Sequence, residues 1–478
     1  KTRGVEVLID EVVVELDTGN NVRARGDVRT SGLLLDFTVG SRVEELGGRY
    51  WLGKVKISRD DTADLPLFAD SWSQNLLDSA NKGSETIQVA SEFLLRDGVL
   101  KLSETKFRLG EIKGSGSVSI GQGDFQGQVD LGHLNLDRIF NFDQQSSVEK
   151  LGSDFLPEAT AALLSYLVAK PELSGTIRIG ADAVQYRGEA IRDILLKGNI
   201  RDGRIDLNEI SALFPGGSSA KLEGMLRVDE GLPTFEGVAQ GKSDNFRALL
   251  DWLSLDTGTL SGDRLRRLWF STKLAGTLAS GSFTEIELQF DTSNVRGGVA
   301  YAISNGRPGL GVGLHIDQLN IDAYFPQTAQ LENENLEKTV SSTKLGFSVP
   351  SVFSKFDADF DIQLDDLTLR GIPVSGVVLD GLWQQDVLDV REVGVHDLSG
   401  ASVSFAGLLT AVSVNPSIQG SFNFSTEKLG SLARVIPALQ EVPKYLLGST
   451  EIDLAVRGNA EEITIDVWLE QWIAKWPS

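Results

Sequence analysis

Phe360-Asp361-Ile362-Gln363-Leu364 alternates apolar and polar side chains one by one, the period of a β-strand with one apolar and one polar face. The pattern stands a second time in the chain. Arg187-Gly188 falls on Arg370-Gly371, an offset of 371 − 188 = 183 residues, and at that offset Ile177, Arg178 and Ile179 fall on Phe360, Asp361 and Ile362. Ile205, Leu207 and Leu222 fall on Leu388, Val390 and Phe405, while Asp206 and Lys221 between them fall on Asp389 and Ser404. Gly198, Gly217, Gly224, Pro233 and Gly237 fall on Gly381, Gly400, Gly407, Pro416 and Gly420, and read as matched turns between matched strands. Fixed-period self-similarity marks repeated units, each leaving an apolar face that a neighbour or a ligand must cover.

The 478 residues suffice for about three ordinary domains, yet no shift of composition separates independent globules. Fifty Gly against 13 Pro suits many tight turns, and 41% hydrophobic residues is the content of a folded chain. The balance of 45 basic and 67 acidic residues gives a net charge of −22, which repels phosphate backbones and excludes nucleic acid as a partner class. With no cysteine there is no disulfide, thiolate chemistry or sulfur-ligated zinc. No apolar run is long enough for a membrane helix. The chain opens at Lys1 in a strand-like run and its one methionine is Met225, so it is expected to be a piece of something longer, with any membrane anchor outside it.

Along the chain, strand patterns at 5–16, 21–42 and 50–59 give way to helical spacing from Ala63 to Ser79 and from Ser147 to Val168. A short helix is also read near Phe246 to Leu253, with Trp252. Asp97-Gly98 and Asp202-Gly203 are hairpin signals. Leu134-Asn135-Leu136-Asp137 resembles Leu319-Asn320-Ile321-Asp322, and each closes a strand run. The resulting division is a β unit at 1–145 with a helical insertion, an amphipathic helix at 146–169, β repeats at 170–255 and 256–326, a polar linker at 327–355, a β repeat at 356–446, and terminal strands with a Trp-rich segment at 447–478. Alternation leaves two options, a sandwich with its apolar faces closed together or an open curved sheet whose apolar face lines a groove. Asp365-Asp366 flips the face unless a bulge absorbs it.

The rhythm of strand, Gly turn, Asp-Gly, second strand, Gly-Gly turn and Leu-Asn-Leu-Asp closure resembles the AsmA family of Gram-negative envelope proteins, grouped with the bridge-like lipid transfer proteins. The resemblance implies a mainly β fold: an elongated, twisted antiparallel sheet of repeated strand units, curved into a hydrophobic groove, with short amphipathic helices. It also implies a periplasmic place, inner-membrane anchoring, a passive role in carrying phospholipid between the two membranes for outer-membrane homeostasis, and no catalytic motif. Expected partners are phospholipid acyl chains and inner- and outer-membrane proteins. The groove candidates are the clean alternation positions Ile177, Ile179, Ile205, Leu207 and Leu222, then Leu310, Val312, Leu314 and Ile316, then Phe360, Ile362, Leu364, Leu388, Val390 and Phe405. The alternative is a structural or protein-binding β-repeat envelope protein with a closed core and no lipid.

Residues suited to chemistry are sparse. His133, His315 and His396 occupy unrelated places in their units, which argues against a triad or a histidine metal site. Gly309-Leu310-Gly311-Val312-Gly313 leads into a strand, where a nucleotide loop needs a helix. Asp357, Asp359 and Asp361 share one strand face, which suits a solvated exterior better than calcium. Trp468, Trp472 and Trp476, spaced by fours, form a stripe if helical. No enzyme activity, cofactor or metal is expected.

Overall fold

The computed structural model describes residues 7–18, 21–30, 33–44, 48–59, 87–139, 172–229, 232–255, 257–258, 260–277, 279–304, 306–325, 356–412, 416–435, 439–440, 442–443, 447–459 and 463–471. The helical patterns at 63–79 and 147–168, the polar linker at 327–355, Trp472 and Trp476 lie outside these residues. The fold is mainly β, with 24 strands among the described residues and few short helices. The chain falls into two compact units, Lys1–Val238 and Ala239–Ser478.

The first unit contains β1 (Val7–Leu16), β2 (Val22–Thr30), β3 (Leu33–Val43), β4 (Arg49–Arg59), β5 (Ile87–Arg96), β6 (Val99–Leu109), β7 (Ile112–Gly121) and β8 (Asp124–Asn135). These pair antiparallel in chain order. After the short helix α1 (Leu136–Ile139) come β9 (Ser174–Tyr186), β10 (Glu189–Arg201), β11 (Arg204–Phe214) and β12 (Ser218–Asp229), again antiparallel in order. β13 (Leu232–Ser243) runs across the boundary between the units.

The second unit continues with α2 (Phe246–Trp252), β14 (Leu268–Gly276), β15 (Ser280–Phe290), β16 (Ser293–Ser304), β17 (Arg307–Asn320) and α3 (Ile321–Tyr324). Then follow β18 (Asp357–Leu369), β19 (Ile372–Gln384), β20 (Val387–Leu398), β21 (Ala401–Thr410), β22 (Ser417–Thr426), β23 (Thr450–Asn459) and β24 (Ile463–Gln471). All neighbours are antiparallel except β17 with β18.

The expected antiparallel sheet is therefore interrupted in each unit, because β8 and β9 also run parallel. A parallel neighbour needs a long return connection, and in both copies the chain leaves its strand through the Leu-Asn-x-Asp closure before starting the next. That closure does specific work. Asn135 and Asn320 accept the backbone N–H of Arg138 and Ala323 at 3.0 and 3.1 Å, starting the one-turn helices α1 and α3. The next residue but one, Asp137 or Asp322, then holds the hairpin that follows the parallel joint. Asp137 accepts the N–H groups of Arg187 and Gly188 at 2.7 and 2.9 Å, and Asp322 those of Arg370 and Gly371 at 2.6 and 2.7 Å. Two motifs that recur separately in the sequence are thus bonded to each other in both copies. Asp137→Ala should lower stability by about 1.5–3 kcal/mol, the range for hydrogen bonds to a charged acceptor. Hydrogen exchange at the Gly188 amide should quicken with it, and an unchanged rate would remove the staple from this account.

The glycines are only partly turns. Gly188 and Gly371 sit in left-handed backbone at φ +77° and +70°, and Gly217 and Gly400 at +65° and +89°, as turns require. Gly198, Gly224 and Gly237, with their counterparts Gly381, Gly407 and Gly420, lie inside strands. All of these but Gly198 admit phenylalanine rings from the sheet itself: a Cβ on Gly420 would stand 2.8 Å from the Phe405 ring, and one on Gly381 would stand 2.9 Å from Phe360.

Bulges recur too. Glu104 and Glu285, in left-handed backbone at φ +50° and +49°, occupy register shifts in β6 and β15. Opposite them buried Ser91 and Thr272 turn their hydroxyls onto the bulge carbonyls of Ser103 and Thr284, at 3.3 and 3.1 Å. Across Asp365 and Asp366 the register instead continues unbroken. The face therefore flips, and Leu319, Leu367 and Val374 pair on the far side, beside α3.

Candidate functional site

Directly opposed residues of neighbouring strands project from the same face of a sheet, so the register can be followed across each unit. In the first unit one row runs Val39, Gly53, Phe93, Leu102, Val118, Gly127, Ile177, Gly198, Leu207 and Gly224, every member apolar or glycine. The row two residues along contains Phe125, Gly175, Ile200, Ile205 and Leu226, and the row on its other side Val129, Ile179, Leu196, Ile210 and Leu222.

The second unit is built alike. Val312, Phe360, Gly381, Val390, Gly407, Gly420 and Val456 form one row, and Leu314, Ile362, Leu379, Val393, Phe405, Phe422 and Leu454 the next. Ile316 and Leu364 lead a third row, and Leu310, by way of Ala358 and Trp383, reaches Leu388 in a fourth. All fifteen candidate positions thus fall on the apolar face of their own unit's sheet.

The opposite faces are polar and laced with ion pairs. Lys54 meets Glu92 at 2.7 Å and Lys197 meets Glu209 at 2.9 Å, while Arg178 pairs with Asp130. Hydrogen bonds from Gln128 and Arg178 hold the Asp130 carboxyl below the ordinary aspartate range. In the second unit Arg391 joins Asp359 to Asp380, and Arg307 pairs with Asp357 at 2.8 Å. Two of the three aspartates weighed for calcium are thus engaged by arginine, and no group of three or more metal-ligating side chains occurs among the described residues. His315 contacts Asp365 at 2.8 Å on the exposed surface, with no nucleophile among its hydrogen-bond partners.

The apolar faces have little protein over them. Among the described residues only 13 hydrophobic side chains are buried, against 25 large ones that are exposed, the reverse of a closed sandwich. No described strand packs extensively on any strand but its ladder neighbours. Ile179 is 38% exposed, Leu379 37% and Val393 40%, in the middle of rows where a second layer would have buried them.

The helix read near Phe246 forms as α2 and sits at a strand end. Phe246 meets Phe290 edge-on at 6.3 Å, and Phe290 stacks on Tyr324 at 5.8 Å. Asp291 accepts the N–H groups of Leu265 and Arg266 at 3.0 Å each and the Tyr324 hydroxyl at 3.0 Å. Burial, followed by that hydrogen bond and the carboxylate's charge, raises the Tyr324 phenol well above its ordinary value. Its contribution to stability is complete below the ordinary tyrosine pKa and is lost as pH rises through the folded-state value. A spectrophotometric titration should find one of the six tyrosines still protonated when the others have ionised; Tyr324→Phe should abolish that late step. Trp468 departs from the helical stripe: it lies on strand β24, opposite Asp453 and 59% exposed. Alternation with Val467 on the apolar row places it there, and spacing by fours does not reveal a strand.

Sequence reasoning located the apolar face but missed the Phe–Gly pairs within it. A signal was present, since each glycine stands two or more residues inside its strand, although Gly381 follows Asp380 and so also carries the Asp-Gly mark of a turn.

No family model matches the chain, and no solved structure matches it. Among curated proteins it is similar to Protein AsmA of Escherichia coli (strain K12), 24% identical over 202 residues. Over that stretch the chain resembles AsmA. The alignment covers 40% of the chain and 31% of the length of AsmA. No helix among the described residues is long and apolar enough to cross a membrane.

Proposed function

We propose that this AsmA-like chain is a segment of a passive conduit that carries phospholipid across the periplasm between the inner and outer membranes. The observation that supports the reading is the set of continuous apolar rows in each unit, left uncovered by the described residues. Each methylene taken from water onto such a surface gains about 0.8 kcal/mol, so acyl chains are held by area alone. Rows of Val, Leu, Ile and Phe offer no polar grip that would fix a lipid at one place, and sliding follows. Headgroups stay in water beyond the strand ends. The role is non-catalytic, and the membrane proteins at either end and the inner-membrane anchor belong to the proposal. Mass spectrometry of the purified protein should find co-extracted phospholipid, and well-folded protein without lipid would overturn the conduit.

A further inference from the structure

The polar face of the first unit gathers four cations around one concavity. Lys56 on β4, Lys106 and Arg108 on β6, and Lys113 on β7 line a concavity of about 650 Å³. None of the four takes part in an ion pair among the described residues, although the chain carries 67 acidic residues against 45 basic ones. Two carboxylates share the wall, but Asp130 is engaged by Arg178 and Gln128, which leaves Asp182; Asp36 opposes Lys56 on the next strand. Arg108 and Lys113 are direct register partners, an arrangement of like charges that costs stability.

The second copy of the meander shows that the fold does not need them. Counted from the hairpin turn, Arg108 and Lys113 correspond to the pair Gln289 and Asn294, and Lys106 with Ser115 corresponds to Glu287 with Arg296. The same sheet position is neutral or charge-matched there, so the cations answer to something other than folding.

We propose that this concavity is a binding site for a phosphate ester. Arg108 presents a planar fork suited to two phosphate oxygens, with three lysines as point charges around it, and the volume suits a small phosphorylated headgroup. The floor is open because Gly132 has no side chain; a Cβ there would meet only the Lys113 carbonyl at 3.8 Å. The site lies on the face opposite the apolar rows and stands independently of the lipid conduit.

The test uses the full chain with two probes, glycerol 3-phosphate by calorimetry and flotation with phosphatidylglycerol or phosphatidylcholine vesicles. The variant Lys106→Glu, Arg108→Gln, Lys113→Asn imports the second copy's residues and should fold, since that copy does. It should weaken phosphate binding at least tenfold. Gly132→Val keeps every charge but fills the floor, and should weaken binding comparably. Loss of the calorimetric signal alone identifies a soluble phosphate ester; loss of phosphatidylglycerol flotation identifies a lipid headgroup. No saturable binding to wild type, or binding untouched by Gly132→Val, overturns the site.

Discussion

With Ile179 or Ile362 replaced by Asp, the protein should purify with at least tenfold less phospholipid, while its denaturation midpoint changes by the equivalent of no more than about 1.5 kcal/mol. The asymmetry follows from what each side chain faces. Ile179 is already 38% exposed in the folded protein without lipid, so a carboxylate there stays largely hydrated and folding forfeits little. Against acyl chains the same carboxylate must be desolvated, at about 3 kcal/mol on the insertion scale for charged residues in hydrocarbon, a factor of about a hundred in occupancy. Ile362, flanked in register by Leu314 and Leu379, lies within the row rather than at its edge and should behave alike. Lipid quantified by mass spectrometry, alongside urea unfolding of the same samples, separates the two terms. If stability and lipid content fell together, the rows would be an ordinary core and the conduit would be lost.

The second large effect concerns glycines that look equivalent in sequence. Gly420→Ala should cost about 3 kcal/mol, the upper range for overpacking, because the new Cβ would sit 2.5 Å from the Ala406 carbonyl and 2.8 Å from the Phe405 ring. Gly371→Ala should cost about 1 kcal/mol, since its Cβ meets nothing within 4 Å and only its left-handed backbone resists. Phe405→Ala in the Gly420→Ala background should recover part of the loss, the carbonyl contact remaining. Denaturant midpoints for the three proteins are sufficient, and the reverse order of costs would show that the rings do not lie over the glycines.

These glycines also mark how far the sequence could be read. A glycine recurring at a fixed offset is required by the backbone, but the requirement has two physical sources. At Gly371 it is a positive φ, a local property that Arg370 beside it and the hairpin pattern make visible. At Gly420 it is the approach of a ring from the neighbouring strand, which depends on the pairing of β21 with β22. The same distinction separates the Asp137 staple from its motif. Leu-Asn-Leu-Asp and Arg-Gly are each legible, but their bond joins residues fifty positions apart across a parallel joint.

Alternation at period two, repeated at a fixed offset, determined by itself that the chain is β, that it is built in copies, and that each copy has an oily side, because side-chain direction in a strand is set by local geometry. Whether those oily sides close on each other is a matter of which strands meet. Only the tertiary structure decided that, by pairing strands edge to edge within each unit and placing no described strand over the rows. Burial is a relation between distant segments and leaves no local mark in the sequence.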